Sequence, residues 1–110
     1  EQPIEKFAFS CCAEPAFMDK FEEIGRTQVL LTGIEAHICV FQTAYDLIRK
    51  GCKVQLVSDC VSSRTQENKQ IGIQRIVGAG GEASSVEMVF FELMKAAQGD
   101  QFRQLVRLIK

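Results

Sequence analysis

Residues 29–40 have the sequence VLLTGIEAHICV, and this stretch decides the fold. Its first three residues are apolar and are followed by Thr32 and Gly33, which predicts a strand that ends in a tight turn. From Ile38 onward, apolar residues recur at helical spacing as far as residue 50. The stretch therefore predicts a strand, a short polar connection and a helix, with Cys39 in the first turn of that helix.

The predicted position of Cys39 makes it a candidate nucleophile. Unpaired N–H groups and the positive end of the helix dipole favour a thiolate in a first helical turn. The same N–H groups could bind an oxyanion beside the sulfur. The alternative is that Cys39 is a small buried side chain, as most free cysteines are. This stretch alone leaves both interpretations open.

The composition is that of an ordinary globular domain, with 46% hydrophobic and 25% charged residues among 110. The net charge is −1 and the acidic and basic residues are intermixed, which is not the basic patch of a nucleic-acid-binding or membrane-surface protein. Five cysteines without a C-x-x-C motif suit a reducing compartment. We therefore expect no nucleic-acid partner, no membrane and a cytoplasmic location, or a mitochondrial one if a targeting segment precedes these residues.

Strands and helices alternate along the whole chain. Apolar runs predict strands at residues 28–32, 53–58 and 82–85, and helical periodicity predicts helices at 15–24, 38–50, 66–77, 86–97 and 101–109. Strands separated by helices of this length favour a parallel sheet with helices on both faces. The predicted fold is therefore α/β, a three-layer α/β/α Rossmann-like parallel sheet.

Two loops of this fold would lie at the carboxyl ends of strands, where open parallel sheets bind their ligands. The loop at residues 33–38 carries Glu35 and His37 and leads to Cys39. The loop at residues 59–65 carries polar side chains that include Arg64. A cleft lined by a thiol and polar groups follows from this topology, and helix capping with solvation is the alternative for the second loop.

The residues also resemble a known family. GIEAHICVFQTAYDLIRKG at residues 33–51, followed by VQLVSDCVSSR at residues 54–64, is similar to the isochorismatase-like cysteine hydrolase family. Upstream, EKFAFS at residues 5–10 is similar to the family's K-x-x-[FY]-S segment. FEL and the last helix at residues 102–110 most resemble the branch of isochorismatase domain-containing proteins. The resemblance covers nearly the whole chain.

The resemblance implies roles for individual residues. Cys39 matches the family's nucleophile, and Lys6 matches the lysine of its Asp, Lys and Cys triad. The backbone N–H groups of Glu35 and Cys39 match the oxyanion hole, with a cis peptide bond between Ile34 and Glu35. The implied chemistry is attack of the thiolate on an amide or ester-like carbon, followed by hydrolysis of the covalent intermediate.

The family's aspartate, its general acid and base, has no matching position in this chain. It belongs to the family's first strand, so we expect residues 1–110 to be the carboxyl-terminal part of an isochorismatase-like hydrolase domain. The strand at residues 28–32 is continuously apolar, which is typical of a central strand. We therefore expect one long edge of this strand to be unpaired, unless a parallel strand from outside these residues fills it.

Three further side chains are candidate walls of a substrate pocket, namely Phe9, His37 and Arg64. His37 is two residues from Cys39 and badly placed to act as its base, and Arg64 could bind an anionic substrate or pair with a nearby carboxylate. The resemblance implies a small-molecule substrate and a homo-oligomer. It implies no metal and no other cofactor for this branch, because the metal-binding histidines belong to the nicotinamidase branch.

Cys11 and Cys12 stand where many family members have Ala and Phe, so the substrate side of the site should differ. A metal site at this pair is disfavoured, because successive side chains of a strand point to opposite faces.

Two functions from different classes remain. The first is a cysteine hydrolase that acts on a small amide or on a vinyl ether such as isochorismate. The second is a non-catalytic member that keeps the fold as an oligomeric interaction module. A ribonuclease role has been attached to relatives in this branch, but the basic residues here are neither clustered nor interleaved with aromatic ones.

Overall fold

A computed structural model describes residues 2–109 and has a single parallel sheet within them. Its strands are β1 (Gln28–Ile34), β2 (Lys53–Ser62) and β3 (Glu82–Ser84), in the order β1-β2-β3. Both strand pairs are parallel, so each connection must cross back over the sheet. The helices are α1 (Pro15–Ile24), α2 (Phe41–Arg49), α3 (Gln66–Gly78), α4 (Val86–Met94) and α5 (Asp100–Ile109).

Helices cover both faces of the sheet. On one face, Val54 of β2 is buried in the main core with Leu47 of α2 and Ile76 of α3. Alternate residues of β2 project to the other face, where Gln55 lines a groove together with Val89 of α4. The three-layer α/β/α arrangement predicted from the alternation of strands and helices is therefore confirmed.

β1 lies at one edge of this sheet. Among the described residues its only strand partner is β2, so its other edge is unpaired, as expected. Leu30 is 51% exposed and Ile34 is 70% exposed, although the strand is apolar enough for a central position. Natural edge strands are normally short, charged or covered, and β1 is none of these within residues 2–109.

Both longer strands extend beyond their predicted ends. β1 continues to Ile34 instead of residue 32, and β2 continues to Ser62 instead of residue 58. The extension pairs Gly33 with Val61 after a register irregularity that follows Leu31. Because extra residues of β2 interrupt the alternation that indicates a strand, the sequence pattern wrongly predicted a loop from residue 59.

The helix predicted to begin at Ile38 begins earlier and in another form. A π-helical turn spans Ala36–Val40, and α2 follows it directly. The N–H of Val40 donates to the carbonyl of Glu35 at 3.2 Å, five residues earlier, which is the π-helical spacing. Cys39 therefore lies inside a π-helical turn and not in the first turn of an α-helix.

The predicted end of α4 and the predicted strand form of Cys11 and Cys12 are also wrong. α4 ends at Met94 instead of residue 97, because Lys95 is left-handed (φ 70°) and its N–H closes on the carbonyl of Phe91. Cys11–Ala13 forms a 3₁₀ turn. Cys11 and Cys12 are therefore not consecutive strand residues whose side chains point to opposite faces. By contrast, α1 begins at Pro15 and ends at left-handed Gly25 as predicted.

α3 packs against the π-helical turn through a glycine. Gly72 is buried, and a Cβ added there would lie 2.8 Å from the carbonyl carbon and oxygen of Ala36 and from the Cα of His37. These are backbone atoms, which cannot rotate away as the end of a long side chain can. The absence of a side chain at residue 72 is therefore what allows the two elements to approach.

We expect Gly72→Ala to destabilise the fold by roughly 1–3 kcal/mol, as overpacking does elsewhere. The clash should outweigh the gain in helix propensity, which is about 1 kcal/mol. The matched control is Gly78→Ala at the end of the same helix, where an added Cβ meets nothing within 4 Å. Urea unfolding measures both variants, and an unchanged stability of Gly72→Ala would contradict this account of the packing.

Candidate active site

Cys39 lies at the carboxyl end of the sheet, in the π-helical turn between β1 and α2. The turn is well fixed, because Ala36 and Val40 are buried in the core on either side of the thiol. Cys39 itself is a half-buried free thiol. Single π-helical turns often occur at functional sites. The backbone here is therefore held by packing, while Cys39 as a residue is only partly buried.

The residues just before Cys39 are held by the backbone of the turn. The peptide bond between Ile34 and Glu35 is cis, which is the geometry that the resemblance implies. The carbonyl of Glu35 accepts the N–H groups of Ile38 at 3.1 Å and of Val40 at 3.2 Å. Glu35 is thus the backbone cap of the turn that contains the thiol.

The side chain of Glu35 binds the loop that follows β2. Its Oε1 accepts the backbone N–H of Arg64 at 3.0 Å and the Nε–H of the same residue at 3.2 Å. The donated N–H, aided by the guanidinium charge, holds the pKa of the Glu35 carboxyl below its usual value. Of the two roles considered for Arg64, the structure shows pairing with a carboxylate, and its side chain is otherwise 82% exposed.

Ser63 makes a second link between the same two segments. Its hydroxyl oxygen accepts the N–H of Ala36 at 3.1 Å and lies 2.9 Å from Nδ1 of His37. A hydroxyl that accepts from Ala36 still has its proton to donate to a neutral imidazole. His37 is half-buried in this arrangement. The ring is held by Ser63, which suits a wall of the site better than a base.

The segment that carries Lys6, residues 6–13, is here called the Lys6 arm. The ammonium of Lys6 donates to the carbonyls of Ala8 and Phe9, both at 3.0 Å. Both acceptors belong to the arm itself, so the position of the ammonium depends on the position of the arm. Phe9 is 59% exposed.

The Lys6 arm is fastened to the helix that follows Cys39. The hydroxyl of Ser10 donates to Oδ2 of Asp46 at 2.7 Å, and the N–H of Cys11 donates to Oγ1 of Thr43 at 2.9 Å. Both acceptors are residues of α2. The arm, the π-helical turn and the loop after β2 are therefore all joined around the amino-terminal part of α2.

Sequence reasoning missed three of these contributors. For Ser63, a place in the wall of the cleft and a capping or solvated role were both left open, and its hydrogen bonds to Ala36 and His37 were not foreseen. The other two are Thr43 and Asp46, which were not considered. A usable signal exists for the latter two, because they follow Cys39 by four and seven positions in the sequence. Residues at that spacing share one face of a helix, so polar groups there are candidates for contacts beside the thiol.

No group of three or more His, Cys, Asp or Glu side chains among residues 2–109 is arranged to hold a metal ion. None of the helices in that range is both long and apolar enough to cross a membrane.

Burial raises the pKa of Cys12, which is next to the arm's contacts with α2.

We expect the pair of Glu35 and Arg64 to make stability depend on pH. Because the folded-state pKa of Glu35 is depressed, its contribution is complete above the unfolded value of about 4.3 and is lost as the pH falls through the folded-state pKa. Glu35→Gln should therefore be less stable than the wild type at pH 7 and equal to it near pH 3. Glu22→Gln, an exposed glutamate of α1, is the control for loss of one negative charge. Urea unfolding across this range decides, and a difference that does not change with pH would contradict the prediction.

Known proteins similar to this chain share the isochorismatase name. A secreted isochorismatase effector, Isc1, of Phytophthora sojae is 45% identical over 85 residues, which are 77% of this chain and 40% of that protein. The mouse isochorismatase domain-containing protein 2A is 33% identical and is covered over 52% of its length by 99% of this chain. The chain thus spans about half the length of the curated relatives that it matches.

A solved structure is also similar to this chain, and a family model matches most of it. The structure of the MAR1 ribonuclease from Caenorhabditis elegans superimposes with a TM-score of 0.81 at 34% identity, covering 94% of this chain and 53% of that one. The family model described as the isochorismatase domain matches residues 1–88, a range that includes the Lys6 arm, the π-helical turn and the loop after β2. The chain therefore belongs to the isochorismatase domain family, whose members are isochorismatase-like hydrolases.

Proposed function

We propose that this protein is a cysteine hydrolase that acts on a small-molecule amide or vinyl ether, with Cys39 as its nucleophile. The observation that supports this most is the setting of Cys39, a half-buried thiol in a fixed π-helical turn at the carboxyl end of a parallel sheet. Parallel sheets bind ligands at that end. Family membership favours hydrolysis over other cysteine chemistry.

For an amide, the proposed reaction proceeds through a thioester. The Cys39 thiolate attacks the carbonyl carbon, a carbon–sulfur bond forms, and the carbonyl electron pair moves onto oxygen. N–H groups of Glu35 and Cys39 stabilise this oxyanion. The intermediate collapses, the carbon–nitrogen bond breaks, and the leaving amine takes a proton. Water then attacks the thioester, which yields the acid and restores the thiolate.

Lys6 is proposed to stabilise the thiolate by its positive charge. In support, the Lys6 arm is fastened to α2, the helix that directly follows the π-helical turn of Cys39. A nearby ammonium favours the ionised form of a thiol. Phe9 and His37 flank Lys6 and Cys39 in the sequence, and we propose that they contact the substrate. Arg64 serves mainly to hold Glu35.

The proposed mechanism also needs a general acid and base, for which we assign no residue of this chain. We propose that an aspartate on a strand outside these 110 residues provides it, and that this strand pairs in parallel with β1. The unpaired edge of β1 and its exposed Leu30 and Ile34 support this proposal. Residues 1–110 are then the carboxyl-terminal part of the hydrolase domain.

A ribonuclease is the second candidate, because the Caenorhabditis elegans relative carries that name. The net charge of −1 argues against strong phosphate binding. RNA cleavage that survives replacement of Cys39 by serine would favour this candidate over the cysteine hydrolase.

We expect Cys39 to react faster with iodoacetamide at pH 7 than Cys52 or Cys60, because only Cys39 has a proposed ammonium partner that would favour its reactive thiolate. Cys60 is exposed and Cys39 is only half-buried, so accessibility alone predicts the opposite order. Mass mapping of the labelled cysteines gives the rates. Faster labelling of Cys60 would mean that Cys39 is not activated.

The role of Lys6 is tested in the same assay. Lys6→Met should move the pH midpoint of Cys39 alkylation upward, because the proposed neighbouring positive charge has been removed. Lys53→Met removes an equal charge at the amino end of β2, away from the site, and should leave the midpoint unchanged. Equal shifts in both variants would show that only the overall charge matters.

If the general base lies outside these residues, as proposed, alkylation of Cys39 should not require it, whereas hydrolytic turnover should. The 110-residue chain should be alkylated at Cys39 but should show no steady-state hydrolysis of isochorismate or of a simple carboxamide, because the group proposed to activate the hydrolytic water lies outside these residues. A chain with Cys39→Ser gives the background rate. Hydrolysis above that background by the 110 residues alone would contradict the assignment of the base to another segment.

A further inference from the structure

The position of Lys6 depends on very few contacts. Residues 2–9 include no buried residue, and Ser10 is the first buried one within the described range. In that range the Lys6 ammonium donates to carbonyls of its own arm, those of Ala8 and Phe9. The place of the ammonium relative to Cys39 is therefore set by whatever fixes the arm near Ser10.

Two partly buried hydrogen bonds fix the arm at that point. Ser10, which is 6% exposed, donates to Asp46 at 2.7 Å, and Thr43, which is 3% exposed, accepts the N–H of Cys11 at 2.9 Å. Ser10 also accepts the N–H of Cys12 at 3.1 Å, which caps the amino end of the 3₁₀ turn. The loss of either bond to α2 leaves a partly buried polar group unpaired, which is costly.

The two acceptors, Thr43 and Asp46, are here called the anchors. Both belong to α2, the helix that continues from Cys39. Thr43 and Asp46 follow Cys39 by four and seven positions, and α2 begins within two residues of the thiol. Side chains at this spacing lie along one side of a helix. The arm is therefore fastened along the same helix that presents the thiol, one and two turns further on.

We propose that Thr43 and Asp46 are positioning residues, which hold the Lys6 arm so that the ammonium is kept beside the Cys39 thiol. This inference rests on the proposed function, because it assumes that Lys6 acts on Cys39. Neither residue contacts the reacting atoms. Thr43 acts on the backbone of Cys11, Asp46 acts on Ser10, and the arm then carries Lys6.

The test compares variants that keep or lose each acceptor. Thr43→Val keeps the shape of the side chain and removes the hydroxyl, whereas Thr43→Ser keeps the hydroxyl. Asp46→Ala removes the acceptor for Ser10, whereas Asp46→Asn keeps a carbonyl oxygen there. Two quantities are measured on the whole chain, the amide hydrogen exchange of residues 6–13 and the pH midpoint of Cys39 alkylation by iodoacetamide.

We expect Thr43→Val and Asp46→Ala to speed exchange in the arm by roughly tenfold, which corresponds to the loss of one partly buried hydrogen bond. They should also move the alkylation midpoint upward, toward the value of Lys6→Met. Thr43→Ser and Asp46→Asn should behave like the wild type in both measurements. In a Lys6→Met background, Thr43→Val should cause no further shift, because the charge that it displaces is already gone.

Four results would overturn the inference. The first is arm exchange that does not change in Thr43→Val and Asp46→Ala. The second is a midpoint shift by Thr43→Val that persists in the Lys6→Met background, since the effect would then bypass Lys6. The third is a Lys6→Met variant with a wild-type midpoint, which removes the proposed role of Lys6 as well. A shift in Lys6→Met that the anchor variants do not reproduce overturns the positioning role alone and leaves the proposed function in place.

Discussion

The close contact between α3 and the π-helical turn at Gly72 is the constraint on which the rest of the site depends. A Cβ at residue 72 would lie 2.8 Å from the backbone of Ala36 and His37, so the turn sits as near to α3 as a backbone can. With that distance fixed, Ala36 and Val40 become core residues. Cys39 is then held in a rigid segment, because Ala36 and Val40 are buried on either side of it. Close packing of this kind transmits small changes, because a well-packed interior has little room to relax.

Three segments that are distant in the sequence meet around this turn. The loop after β2 reaches it through Ser63 and Arg64, and the Lys6 arm reaches α2 through Ser10 and Cys11. The register irregularity between β1 and β2 contributes, because it carries β2 on to Ser62. The site is thus assembled by hydrogen bonds between loops, over a sheet that supplies the common frame.

The two sides of β1 differ in a way that matters for function. Toward β2 the strand is paired along most of its length, and its end leads into the turn with Cys39. Away from β2 it has no strand partner among residues 2–109, and its apolar side chains Leu30 and Ile34 are exposed. The free backbone N–H and C=O groups of such an edge can pair with a further strand. A catalytic group carried by that strand would arrive at the carboxyl end of the sheet, next to the thiol, only if it paired in parallel with β1.

The sequence by itself determined the order of strands and helices, the parallel α/β class, and the presence of Cys39 just after the first strand. These features follow from local periodicity and from turn residues, which act over a few positions. The resemblance of residues 33–64 to a family implied roles for Glu35 and Cys39, and that of residues 5–10 implied a role for Lys6. Only the tertiary structure decided that Cys39 lies in a π-helical turn, that Arg64 pairs with Glu35, and that Thr43 and Asp46 hold the Lys6 arm. The physical reason is that these features depend on contacts between segments up to 36 positions apart. They also depend on the close approach of α3 to the π-helical turn at Gly72, which local sequence patterns do not reveal.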